Sequence, residues 1–117
     1  PDMNNPMVVS TQALVSVDEQ QSVPDAFALH QNYPNPFNPS TQISFDIPEA
    51  SELVTLSVYN ILGQNINKLV SGSMNAGRYT QEWDATDELG SPVASGIYFY
   101  ELRSSNFVSR KKMLLIR

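Results

Sequence analysis

The chain has 117 residues, no cysteine, 41% hydrophobic residues and a formal net charge of −5. One domain of this length can bury a core without covalent staples, and neither a disulfide framework nor a cysteine-based metal site can form. The acidic balance argues against non-specific nucleic-acid binding, and no apolar run approaches the ~20 residues of a membrane helix.

The sequence starts at Pro1 and carries no basic-then-apolar leader, so it reads as the C-terminal piece of a longer protein. Residues 1–23 are polar, with short apolar patches at Met7–Val9 and Ala13–Val15. They read as a linker from an upstream domain, with room for one docking strand. The domain itself is assigned to residues 24–117.

Next comes HQNYPNPFNPST, residues 30–41. Each residue before a proline is pushed to extended geometry, and asparagines close local turns. The segment cannot be a helix or a central strand. It is expected to cap one end of a sheet, with Tyr33 and Phe37 as packing anchors.

From Thr41 the apolar period is two. Ile43, Phe45 and Ile47 alternate with Ser44 and Asp46, and Val54, Leu56 and Val58 alternate with Thr55 and Ser57. Gly63 follows as a hairpin turn. Ile66, Leu69 and Val70 form a further patch, punctuated by Gly72 and Gly77. Tyr79, Gln81 and Trp83 share one face of the next strand, with Trp83 as core. Asp87–Gly90 is a turn with glycine in its favoured last place. Tyr98, Tyr100 and Leu102 alternate with Phe99, Glu101 and Arg103, and Phe107–Ile116 is the last strand. About seven short strands with no helical stripe predict an all-β antiparallel sandwich.

No catalytic constellation emerges. His30 is the one histidine and has no constrained nucleophile near it in sequence. Asp84, Asp87 and Glu88 lack the alternation of a calcium loop and read as a solvated turn. Neither a metal site nor a cofactor is expected, and an enzyme is the least favoured class. Charge is unevenly spread: residues 1–67 hold seven acidic side chains and no Lys or Arg, whereas residues 102–117 hold five basic ones and no acid. Such a tail is either an interaction surface or a strand edge guarded by lysine. The aromatic run Tyr98–Phe99–Tyr100 leaves a carbohydrate-binding or surface-adhesion module as the alternative function, with Phe99 on the face opposite its neighbours.

The strings LHQNYPNPFNPSTQISFDIP, NILGQ, AGRYTQEWDATDELG, SGIYFYEL and SRKKMLLIR, in that order, resemble the type A C-terminal sorting domain of type IX secretion cargo from Bacteroidetes-like bacteria. The likeness runs from about Phe27 to Arg117. The middle block also resembles the Ig-like domain of the flagellar hook-capping protein. The resemblance implies an Ig-like β-sandwich that carries its cargo through an outer-membrane translocon. The domain is then removed by a sortase-like peptidase or used for surface attachment. It further implies passage through the periplasm and a final place outside the cell or on its surface. The family's C-terminal motif falls on Arg110, Lys111, Lys112, Met113, Leu114, Leu115, Ile116 and Arg117. Its glycine motif includes Gly96 and Tyr98. Its proline motif covers Pro34, Asn35, Pro36, Phe37, Asn38 and Pro39. As an edge strand, the basic tail would be open to pairing with a partner strand.

Overall fold

The computed structural model describes residues 23–117; the apolar patches at Met7–Val9 and Ala13–Val15 and most of the linker lie outside them. The described residues form seven strands and no helix. They are β1 (Ala28–Leu29), β2 (Thr41–Ile47), β3 (Ser51–Tyr59), β4 (Asn65–Met74), β5 (Gly77–Trp83), β6 (Gly96–Ser104) and β7 (Phe107–Leu115). Every strand pairing is antiparallel. One sheet has the order β1-β2-β5 and the other β4-β3-β6-β7, which is the two-layer antiparallel sandwich the alternating pattern predicts and matches the Ig-like sandwich the resemblance implies.

The period-two pattern translates directly into burial. Ile43, Phe45 and Ile47 of β2 face Val54, Leu56 and Val58 of β3 and Tyr98, Tyr100 and Leu102 of β6 across one core. Polar residues between them take the outer faces. Trp83 ends β5 fully buried, with Phe37 at 5.8 Å and Tyr98 at 5.4 Å between ring centroids. This trio closes one end of the sandwich.

The β3–β4 hairpin turns at Asn60–Gln64. The Asn60 side-chain oxygen accepts from the Leu62 and Gln64 amides, and Gly63 sits at φ 81°, where a side chain would be strained. The expected turn at Asp87–Gly90 is also present: the Gly90 amide donates to the Asp87 carbonyl at 3.0 Å. Gly72 punctuates the patch at Ile66–Val70 without ending the strand. β4 runs through it to Met74, and the pairing with β3 shifts register between Ser51 and Val54. Gly72 at φ 151° lets the strand bulge without breaking, a role open to glycine alone.

Candidate functional site

The two ends of the described chain meet. The segment from Phe27 to Phe37 runs beside β7 from its start to its finish. The Phe27 ring stacks on Phe107 at 5.0 Å. The Gln31 amide donates to the Lys112 carbonyl at 2.9 Å. The Asn35 side-chain oxygen accepts from the Leu114 amide at 3.0 Å. The Phe37 amide donates to the Leu114 carbonyl, and the Ile116 amide donates back to Phe37 at 2.9 Å, a parallel bridge. We call residues 27–39 the strap. Its three X–Pro peptides, Tyr33–Pro34, Asn35–Pro36 and Asn38–Pro39, are cis.

The strap is pinned from inside. The Tyr100 hydroxyl of β6 donates to the His30 carbonyl at 2.7 Å and accepts from the Asn32 amide at 2.8 Å. Burial pushes the Tyr100 pKa up to about 12, so this hydroxyl keeps its proton and both bonds at neutral pH. Buried Asn32 donates to Thr41 and to the Pro34 carbonyl, and the Thr41 hydroxyl donates to that same carbonyl. An unpaired amide here would carry its full desolvation cost, so the network fixes one path for the strap. Asn32 and Thr41 escape a sequence reading that looks for aromatic anchors. The signal present was an asparagine two residues before a proline.

Of the two expected anchors, one holds. Phe37 is 2% exposed and packs on Trp83. Tyr33 is 79% exposed and is no anchor. Its backbone bridges Gln42 through both polar groups, which turns the ring outward.

The C-terminal half of the β7 edge is accordingly occupied. Both backbone groups of Leu114 and the carbonyl of Lys112 point away from β6 and are satisfied by the strap. Strand addition by a partner is blocked from Lys112 to Ile116, contrary to the expectation that this edge lies open, while no strap bond reaches Val108 or Arg110.

The C-terminal motif divides by alternation. Met113 and Leu115 point into the core and are essentially inaccessible. Arg110, Lys112 and Leu114 pair with Glu101, Phe99 and Ile97 on the outer face of the four-stranded sheet. Lys111 lies opposite Tyr100, on the strap side. Ile116 is exposed. Arg117 folds back on the loop before β6: its amide donates to Ser95 at 2.9 Å, and its guanidinium to the Val93 and Ala85 carbonyls at 2.7 and 2.9 Å. Gly96 opens β6 beside Leu115, and buried Tyr98 donates its hydroxyl to Ala94. Burial raises the Tyr98 pKa, against a smaller lowering by Arg117.

Glu101 is the acid that meets Arg110. It is largely buried, with Arg103 at 3.5 Å and Arg110 at 3.4 Å. The Arg110 guanidinium also lies 5.2 Å over the Tyr59 ring. Among the described residues, no carboxylate comes within ion-pair distance of Lys111, Lys112 or Arg117.

The remaining candidates do not assemble into chemistry. His30 is exposed and meets Asp46 at 3.1 Å. Asp87 accepts from the Leu89 and Ser91 amides, holding its own turn. Among the described residues no group of three His, Asp or Glu could hold a metal. Tyr98 and Tyr100 are buried, so the aromatic run offers Phe99 alone to the outer face and forms no platform for a sugar.

The model of the FlgD Ig-like domain matches residues 32–106. The chain belongs to the FlgD Ig-like domain family. The match starts inside the strap and leaves out β7. Among solved structures, FlgD from Pseudomonas aeruginosa is 25% identical at a TM-score of 0.50, over 64% of this chain and 57% of that one. Two proteins of Porphyromonas gingivalis share the fold. Latent PorU is 22% identical at a TM-score of 0.58, over 74% of this chain. PorZ, described as an essential surface component of the type IX secretion system, is 20% identical at 0.52, over 80%. This FlgD-like chain spans only 9% of PorU and 12% of PorZ, so it corresponds to one module of each. No curated protein matches it significantly.

Proposed function

We propose that residues 24–117 are a non-catalytic sorting domain of the type IX kind. The domain directs an attached cargo protein through the outer-membrane translocon. It is then removed by a sortase-like peptidase or retained as a surface anchor. The cargo would pass through the periplasm and end outside the cell or on its surface. The observation that carries this reading is the junction of strap and β7. Two sequence motifs that resemble the sorting family, about 80 residues apart, lie hydrogen-bonded to one another at one end of the sandwich. The family match takes in most of the strap and stops short of β7. The fold shared with modules of PorU and PorZ supports the same reading at the level of architecture.

The test is a fusion of residues 24–117 behind a leader-bearing reporter in a type IX-competent host. The fused reporter is expected in the medium or on the cell surface, and the unfused reporter in the periplasm. A fused reporter that stays periplasmic overturns the proposal.

A further inference from the structure

A small groove opens where the strap crosses onto β7, with a volume of about 200 Å³ and walls from Asn35, Ile97, Lys112, Met113 and Leu114. Its walls are almost wholly apolar. Ile97 is 41% exposed and Leu114 37%, and the two are cross-strand partners on the outer face. An outer face that met only water would be polar at such a pair. Phe99 and Lys112 form the next pair along, and Ile116 lies exposed just beyond.

We propose that this groove is a docking site for an extended acidic segment of a partner protein that inserts one apolar side chain. The proposal rests on the sorting reading and specifies the surface that a partner would hold. Three features point to that occupant. The groove is sized for one aliphatic or aromatic side chain, and an apolar anchor in such a pocket supplies most of the energy of a small interface. The outer face around it is net positive: Lys112, a wall of the groove, meets no carboxylate among the described residues, and Glu101, next along the same face, is held between Arg103 and Arg110. That rim favours an acidic partner and a salt-dependent approach. The backbone edge beside the groove is already used by Asn35 and Phe37. The partner is therefore held by its side chains across the face, without adding a strand. Asn35 is a wall of the groove as well as a ligand of the Leu114 amide, so the site exists only while the strap is docked.

The test uses two nine-residue peptides on isotopically labelled protein: one alternates Leu with Glu and Asp, and its twin has Lys at every acidic position. Amide shifts should move at Asn35, Ile97, Lys112 and Leu114 with the acidic peptide and not with its twin. Binding should weaken with salt and fall about tenfold or more in Ile97→Asp and in Lys112→Glu. Both positions are exposed, and a cooperative thermal transition in each variant verifies the fold. Shifts confined to other surfaces, equal binding of both peptides, or no binding overturns the groove. Shifts produced by anionic lipid vesicles and not by the acidic peptide assign the site to a membrane surface and likewise overturn it. In the secreted fusion, Ile97→Asp should hold the reporter in the periplasm. If the unsubstituted fusion is secreted and this variant is too, the groove fails while the sorting reading stands. If the unsubstituted fusion is not secreted, the sorting reading fails first.

Discussion

Phe37 and Tyr33 show how two aromatics in one strap divide their labour. Phe37 fills the end of the core against Trp83, whereas Tyr33 projects into solvent and contributes its backbone bridge to Gln42. Truncating a buried Phe typically costs about 3–5 kcal/mol, and a surface change usually stays within about 0.5 kcal/mol. Phe37→Ala should therefore lower the urea midpoint sharply, and Tyr33→Ala should barely move it. Comparable losses in both would mean that Tyr33 packs after all. The sequence does not separate the two, because proline spacing makes both residues extended without fixing which way either side chain points. Alternation does that work inside a strand, and a strap has no repeat. The same gap hides Leu114: in Met113-Leu114-Leu115-Ile116 every residue is apolar, so only the register with Gly96–Tyr98 shows which ones face out.

At the scale of elements, β2, β3 and β6 were legible because their apolar residues alternate with period two, and they fall where that alternation puts them, whereas the two residues of β1 carry no such pattern. The turns at Gly63 and Gly90 were legible for local reasons. What joins strap to β7 was not. Asn35 and Leu114 are 79 positions apart, and nothing local in either stretch encodes the partner. The bulge at Gly72 was not legible for the converse reason: glycine marks a departure from regular geometry without saying whether the strand ends or bends. The ladder has a measurable signature. A neutral hydrogen bond of this kind contributes about 0.5–1.5 kcal/mol. Asn35→Ala should accelerate hydrogen exchange at the Leu114 amide, while the Ile116 amide, held by the Phe37 carbonyl, stays protected. Equal acceleration at both would mean that Asn35 holds the whole strap. An unchanged Leu114 amide would mean that the bond carries no weight.

For the molecule as a whole, the consequence is that the C-terminal motif is simultaneously surface and core. Deleting residues 111–117 removes Met113 and Leu115 from the centre of the sandwich, the three bonds of Arg117, and the backbone partners of Phe37. Each lost buried side chain costs about 2–5 kcal/mol, and the two together approach the ~5–15 kcal/mol by which a domain is stable. The truncated chain should lose its cooperative thermal transition by circular dichroism. Lys112→Glu and Ile116→Ser, which alter only exposed positions, should keep a transition within a few degrees of the unsubstituted domain. A truncated chain that still melts cooperatively near the original temperature would show that β7 is dispensable to the fold. If it does not, loss of secretion on truncation reports an unfolded domain as readily as a missing signal. Substitutions at the outward half of the motif then become the informative ones, because they change what a partner can touch while leaving Met113, Leu115 and the strap in place.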